Sequence, residues 1–381
     1  MKQGKEHLNE LVRIVEGALR LDLDKVRNYT EYLAEKLETA GEKSSAKRIR
    51  RLLKETENQL HPVEIGYAPQ LPVDSESRFP LIEKVDLGHA EPPIVLEADA
   101  AEITREFLSV AKSWRQVDSH DLDGALSLIA CGAPGTGKSR LARHIARELD
   151  LPLYLARLDG LISSYVGSTS KNIRAVFEFA ASTPGVLFLD EFDAIAKVRG
   201  DSNEMGELKR VVNSFIQNLD LLGSQSVLIA ATNHAELLDS AVWRRFSYRL
   251  VLNVPSADSR KQLWLQFLNT IELSERDVQL LVDLSDGFSG SDIAEVCRRL
   301  RRRQIVSKEQ PSLADAFRIL GNLSIGKASG AAFLSGLVDL DDQAGVKALR
   351  DRDETLYSHA AIAELLGVSK ATAHRWSKEA S

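Results

Sequence analysis

Residues 132–139 read GAPGTGKS, set between an apolar run, ALSLIA, and an amphipathic one, KSRLARHIAREL. Few strings constrain a chain more. Gly132 and Gly137 frame a loop with Ala133, Pro134, Gly135 and Thr136 between them. Such a loop turns backbone N–H groups inward around phosphates. Lys138 adds a mobile positive charge, and the Ser139 hydroxyl is placed to ligate Mg²⁺. Arg140, at the head of the following helix, is grouped with these nucleotide-binding residues. That helix presents its positive end to the anion. The chain must therefore fold as strand, loop and helix here.

A second string, VLFLDE at 186–191, is an apolar strand ending in two carboxylates. Asp190 is the expected Mg²⁺ partner of Ser139. Alternation along a strand turns Glu191 another way, and a carboxylate beside the metal suits activation of the attacking water. Together the strings predict binding and hydrolysis of a nucleoside triphosphate. A third strand, SVLIA, runs into ATN, so Asn233 is either a turn residue or a group that positions the same water. In LDSAVWRRFSYRL, Arg244 and Arg245 are either a solvated pair or fingers that stabilise charge on the transferring phosphoryl group.

The rest of the chain is ordinary for a globular protein: 381 residues, 44% hydrophobic, 27% charged, net charge −6. That balance gives no global pull toward nucleic acid or anionic membrane. The two cysteines, Cys131 and Cys297, cannot form a disulfide framework, so a cytoplasmic chain is expected. The polar N-terminus does not read as a signal peptide, and no apolar run is long enough to span a bilayer.

Periodicity and composition divide the chain. Residues 1–60 are helix-periodic, with Leu8, Leu11, Val12, Val15 and Leu19 on one face, then Val26, Tyr29, Leu33 and Leu37, then Ile49, Leu52 and Leu53. This predicts a small helical module serving as a packing or oligomer face, or as a partner adaptor. Residues 61–95 hold six prolines and no period, and read as an extended linker. Residues 96–255 alternate strands (125–131, 152–157, 185–190, 226–232, 247–253) with helices, the rhythm of an α/β domain with a parallel sheet and helices on both faces. Residues 256–325 read as an all-α lid, 326–340 as a Gly/Ser/Ala-rich linker, and 341–381 as a last helical cluster. The lid's CRRLRRRQ, with Arg298, Arg299, Arg301, Arg302 and Arg303, is a solvated face or subunit contact, or else meets nucleic acid or an acidic partner.

From about 125 to 300 the chain resembles the AAA family of ATPases. The matching strings are GAPGTGKS, SSYVGSTSKNIRAVFEFA, LFLDEFDAI, the polar loop AKVRGDSNEMGELKR, AATN, LDSAVWRRF and GFSGSDIAEV. The doubled RRF is similar to the katanin, spastin and ESCRT-disassembly branch. The resemblance implies ATP as fuel and a homo-oligomeric ring, most often a hexamer. It makes Asn233 a γ-phosphate sensor, and Arg244 and Arg245 fingers that reach a neighbour's nucleotide. It makes Tyr165, Val166 and Gly167 a pore loop gripping a protein substrate, and implies a lid helix near the adenine, with Gly290 allowing close approach and Ser291 or Asp292 capping it. Two features depart from the family. Ser168, Thr169 and Ser170 stand where acidic residues are usual. The segment IVLEADAAEITREFL lacks the glycine-rich entry, which leaves the upstream wall of the adenine pocket unassigned.

The C-terminus, YSHAAIAELLGVSKATAHRWSKEAS, resembles the helix-turn-helix of bacterial regulators and transposition proteins. Ala363, Gly367, Val368 and Thr372 fall at the small-residue, turn and recognition-helix positions, with Leu366 and Trp376 packing the pair. Ser369, Lys370, Thr372 and Arg375 would then face a DNA groove. The alternative is a hairpin for protein docking. Three functions follow: a ring ATPase remodelling a protein, a DNA-linked ATPase, and an ATP-gated scaffold without turnover, against which Glu191, Asn233 and both arginines argue.

Overall fold

The computed structural model describes residues 11, 14–15, 23–39, 43–57, 71–74, 77–88, 91–113, 126–157, 166–194, 214–219, 222, 226–324, 332–338 and 340–379. Two compact units divide the chain, Met1–Ala68 and Pro69–Ser381. In the first, α1 (Leu23–Thr39) and α2 (Lys43–Glu57) pair as a hairpin. Leu33, Leu37 and Ala46 are buried between them, with Ile14 and Ile49 packed alongside. The upstream apolar face is not the one expected: Leu11 and Val15 are exposed, and Ile14 faces the cluster.

The second unit is built on a six-stranded sheet. In chain order its strands are β1 (Glu83–Val85), β2 (Leu126–Cys131), β3 (Leu153–Arg157), β4 (Gly185–Asp190), β5 (Ser226–Thr232) and β6 (Tyr248–Val251). The spatial order is β1-β3-β4-β5-β2-β6, and every pairing is parallel except β1 with β3. Strands β2 and β5 are buried along their whole length, as expected of parallel strands covered on both faces. The five expected strands are present within a residue or two. β1 is an addition, and it corrects the reading of 61–95 as linker. Leu81 and Ile82 are buried beside it, and Asp74 accepts a hydrogen bond from the buried Asn172.

The helices of this layer include α3 (Ala98–Ser113), α4 (Lys138–Glu148), α5 (Val166–Ser182) and the short α6 (Ser240–Trp243). α4 buries Leu141, Ala142, Ile145 and Ala146 against the sheet. Its opposite face carries Arg140, Arg143 and Arg147.

Beyond β6 the chain is helical: α7 (Ala257–Leu268), α8 (Glu275–Leu284), α9 (Gly290–Ser307), α10 (Leu313–Ser324), α11 (Ala332–Val338), α12 (Asp342–Arg352), α13 (His359–Leu366) and α14 (Lys370–Glu379). These do not separate into a lid, a linker and a C-terminal cluster. One apolar core runs from Leu263 and Trp264 through Leu334 and Leu337 to Ile362 and Ala373. Residues 332–338, expected as linker, form α11 and bury two leucines in it. A polar node fastens the last helices to α8. The buried Tyr357 donates to Asp283 (2.5 Å), and Arg352 grips the same carboxylate through two nitrogens (2.6 and 3.0 Å). Among the described residues no helix is long and apolar enough to cross a membrane.

Candidate active site

The parallel order β4-β5-β2 brings three strand ends together: the loop after β2, Asp190 closing β4, and Thr232 closing β5. The carboxyl ends of such strands are where ligands bind. A cleft of about 540 Å³ opens there. It is lined by 134–140, Asp190, Glu191, Asn233 and Gly290, so most of the predicted nucleotide residues share one cleft.

The phosphate loop is shaped from within and pressed from two sides. Lys138 Nζ donates to the carbonyls of Gly132 (2.6 Å) and Ala133 (3.0 Å), and Thr136 Oγ1 donates to Ala133 O (2.9 Å). A side chain at Gly132 would overlap the Leu252 carbonyl. One at Gly135, where φ is +83°, would overlap Ser291 and Ser289. Burial pulls the Lys138 pKa down, against the opposing pull of Asp190 and Asp193.

Ser139 Oγ lies 3.3 Å from Asp190 Oδ2. A hydroxyl and a carboxylate at the cleft floor are hard oxygen donors, the set that Mg²⁺ takes beside phosphate oxygens. These two residues would hold the ion, which when bound would neutralise charge on the phosphates. Glu191 follows Asp190 in a left-handed conformation (φ 54°), uncommon for a side chain of its size. Its N–H donates to Asp190 Oδ1 (2.9 Å). This turn, rather than strand alternation, separates the two carboxylates.

The sequence reading passed over Asp193. It is buried and accepts from Thr232 Oγ1 and from the Asn233 N–H, both at 3.2 Å. Asp193 therefore fixes the backbone that carries Asn233. The string LFLDEFDAI held the signal: a third acid three residues after the strand's last carboxylate.

Other residues sit differently from expectation. Ser289, not Ser291 or Asp292, caps α9; it accepts from the Asp292 N–H while Asp292 accepts from the Ser289 N–H. Arg140 lines the cleft, but its guanidinium donates to the carbonyls of Pro92 and Pro93 and lies over the Phe267 ring. Upstream of the phosphate loop, Ile94, Val95, Leu96, Glu97 and Ala100 also line the cleft. Arg244 and Arg245 are exposed at the end of α6 and do not line the cleft. Tyr165 falls outside the described residues, as does the polar loop 196–210; Val166 and Gly167 open α5. Within the basic run of α9, Arg298 and Arg299 pair with Glu295 and Arg303 with Asp315. Cys131 and Cys297 are buried, and burial pushes their thiols up to about 11 and about 12.

A phosphate loop on a parallel sheet, with a hydroxyl–carboxylate metal pair and an adjoining acid, defines a nucleoside-triphosphatase. The family model for the ATPase family associated with various cellular activities (AAA) matches residues 128–254. An uncharacterized AAA family ATPase, y4kL, of Sinorhizobium fredii is 35% identical over 74% of this chain and 86% of its own length. A putative 26S proteasome regulatory subunit homolog of Methanothermobacter marburgensis is 36% identical over 47% of the chain and 50% of its own length. The crystal structure of the FIGL-1 AAA domain shares the fold, with a TM-score of 0.52 and 23% identity over 65% of this chain and 86% of that one. The chain belongs to the AAA family and is an ATPase. It spans most of y4kL and half of the Methanothermobacter relative.

Proposed function

We propose that the chain works as a closed homo-oligomeric ring, hexameric in the simplest case, that hydrolyses Mg²⁺-bound ATP to pull on a polypeptide. One observation carries this reading: Arg244 and Arg245 stand exposed and outside the cleft of their own subunit. Fingers so placed complete a site only across a head-to-tail interface, and such an interface must close on itself. Within one subunit Lys138 and the loop amides hold the β- and γ-phosphates. Glu191 orients the attacking water, and Asn233 senses the γ-phosphate. Tyr165, Val166 and Gly167 grip the substrate, an aromatic being able to pack against almost any side chain. The likeness to a proteasome regulatory subunit homolog supports a protein substrate. The Met1–Ala68 helices serve as the partner-binding module.

The test is complementation. Glu191→Gln subunits and Arg244→Ala/Arg245→Ala subunits are each expected to be inactive. Mixed, they should recover turnover at interfaces where an intact Glu191 meets intact arginines. A mixture as inactive as its parts, or wild-type turnover that persists unchanged at high dilution, overturns the ring. Tyr165→Ala should leave ATP turnover and abolish substrate remodelling.

A second reading, DNA attachment, draws on the last two helices. Gly367 closes α13 in a left-handed conformation, and α14 starts at Lys370 rather than Thr372. The Ser369 and Thr372 hydroxyls bond each other (2.7 Å) within the cap, whereas Lys370 and Arg375 are exposed. Lys370→Ala/Arg375→Ala should remove a strongly salt-dependent affinity for duplex DNA. Absence of such affinity in the wild-type assembly rejects this reading.

A further inference from the structure

Residues 91–97 have neither helix nor strand, yet they are tied along the cleft from end to end. Three arginines of α4, at spacings of three and four residues, face them. Arg143 Nη1 donates to one oxygen of Glu91 and Arg147 Nη1 to the other, each at 3.1 Å. Arg140 donates to Pro92 O and Pro93 O. From the lid, Gln266 Nε2 donates to Pro93 O (2.7 Å), and Phe267 receives the Arg140 guanidinium on its ring face (5.5 Å). At the far end Glu97 accepts from the Ser256 N–H (2.8 Å).

Between these ties lie Ile94, Val95 and Leu96, which are half-buried and form the upstream wall of the cleft. Among the described residues none of their peptide groups has a backbone hydrogen-bond partner. No backbone hydrogen bond fixes this wall; Val95 packs against the helical core, and the ties set where its two ends stand. Two of those ties converge on Glu91. Its carboxylate is 28% exposed; burial raises its pKa, and the Arg147 and Arg143 bonds and charges outweigh that and hold it below the ordinary range. Pro92 and Pro93 then convey its position, because each proline fixes its own φ and keeps the preceding residue extended. The same rigid helix carries Lys138 and Ser139 at its N-terminus and the three arginines on its flank. Phosphate grip and wall are thus referred to one body.

We propose that Glu91 is a positioning residue for the nucleotide. Its paired bonds to Arg143 and Arg147, passed on through Pro92-Pro93, set the spacing between the phosphate loop and the Ile94–Leu96 wall. This deepens the ATPase assignment and does not depend on the ring.

The experiment measures ATP turnover and binding of a fluorescent ATP analogue by full-length Glu91→Ala, Arg143→Ala/Arg147→Ala and the triple variant, with thermal melting alongside. Glu91→Ala should raise KM and the analogue Kd about tenfold while kcat changes less than about twofold, the signature of lost binding without lost chemistry. The arginine pair should reproduce that shift. The triple variant should add less than about twofold, because the three groups act as one unit. Unchanged KM and Kd in Glu91→Ala, whether or not it melts earlier, overturns the proposal, as does an additive triple variant. Lys138→Ala separates the two claims: if it and the wild type bind the analogue equally, the nucleotide assignment falls first.

Discussion

Two stretches of irregular backbone border the nucleotide cleft, and they are held by opposite means. The phosphate loop is shaped mainly by its own side chains, with two backbone bonds from outside, Gly132 N–H to Thr232 O and Ser291 N–H to Gly135 O. Its own lysine and threonine bond its own carbonyls, and its glycines admit conformations that other residues resist. The strap at 91–97 contributes prolines and a carboxylate, and receives its position from α4 and α7. A loop shaped by its own side chains carries its identity in adjacent residues. A strap held from outside carries it in partners 47 to 173 positions away along the chain. The comparison teaches that the conspicuous half of a binding site is the half whose side-chain bonds are local.

The largest expected effect lies with chemistry that neither stretch supplies. Glu191→Gln should lower turnover by about 10²–10⁴-fold, the usual worth of a positioned base, while the ATP analogue still binds. Retained turnover would remove Glu191 from the reaction. Next is the loop itself. Gly135→Ala places a methyl group against Ser289 and Ser291 at positive φ and should weaken analogue binding at least about tenfold, whatever the state of the Glu91 clamp. Equal binding would show that the loop yields to its neighbours, as the strap does. Third is the helical core. Tyr357→Phe removes a buried donor to Asp283 but leaves Arg352 in place, so a loss of about 1–2 kcal/mol in stability is expected, read by denaturant melting. The smallest effect is the clamp's pH dependence. Glu91 has a folded pKa below its usual 4.5, so its contribution is full above that value and is lost as pH falls through the depressed one. For a partly exposed pair it amounts to under about 1 kcal/mol. Arg143→Ala/Arg147→Ala should flatten that acid dependence, and an unchanged acid melt would show that the pair adds nothing to stability.

Legibility followed the same division. The sheet was readable because each central strand is a short apolar run ending in a signalled turn, and the strand boundaries shift by only a residue or two. β1 was missed because three residues, two of them charged, carry no period, and only pairing with β3 makes them a strand. Asp193 was quoted within a string and left without a role, since its bonds to Thr232 and Asn233 cross between strand ends. At the other end of the chain the helices were visible, but their union was not. Phe333, Leu334 and Leu337 lie in a segment whose glycines and serines suggest a linker, yet Leu334 and Leu337 are buried in the core shared with α7 through α14 and Phe333 packs against it. Apolar periodicity announces that a helix has a buried face without saying against what.

What the sequence determined by itself was the ATPase class and the expectation of its chemistry: a loop suited to phosphates, a hydroxyl and a carboxylate suited to a metal, an acid suited to activating water. Each is announced by a short string of adjacent residues, whose backbone geometry is a local matter of φ, ψ and short hydrogen bonds, although the Ser139 and Asp190 strings meet only through the sheet. The tertiary structure decided where the cleft's upstream wall stands, which helices share a core, and that Arg244 and Arg245 lie exposed outside the cleft. These are long-range contacts, chosen by the packing of whole elements once chain entropy has been overcome, and no short window of residues contains them.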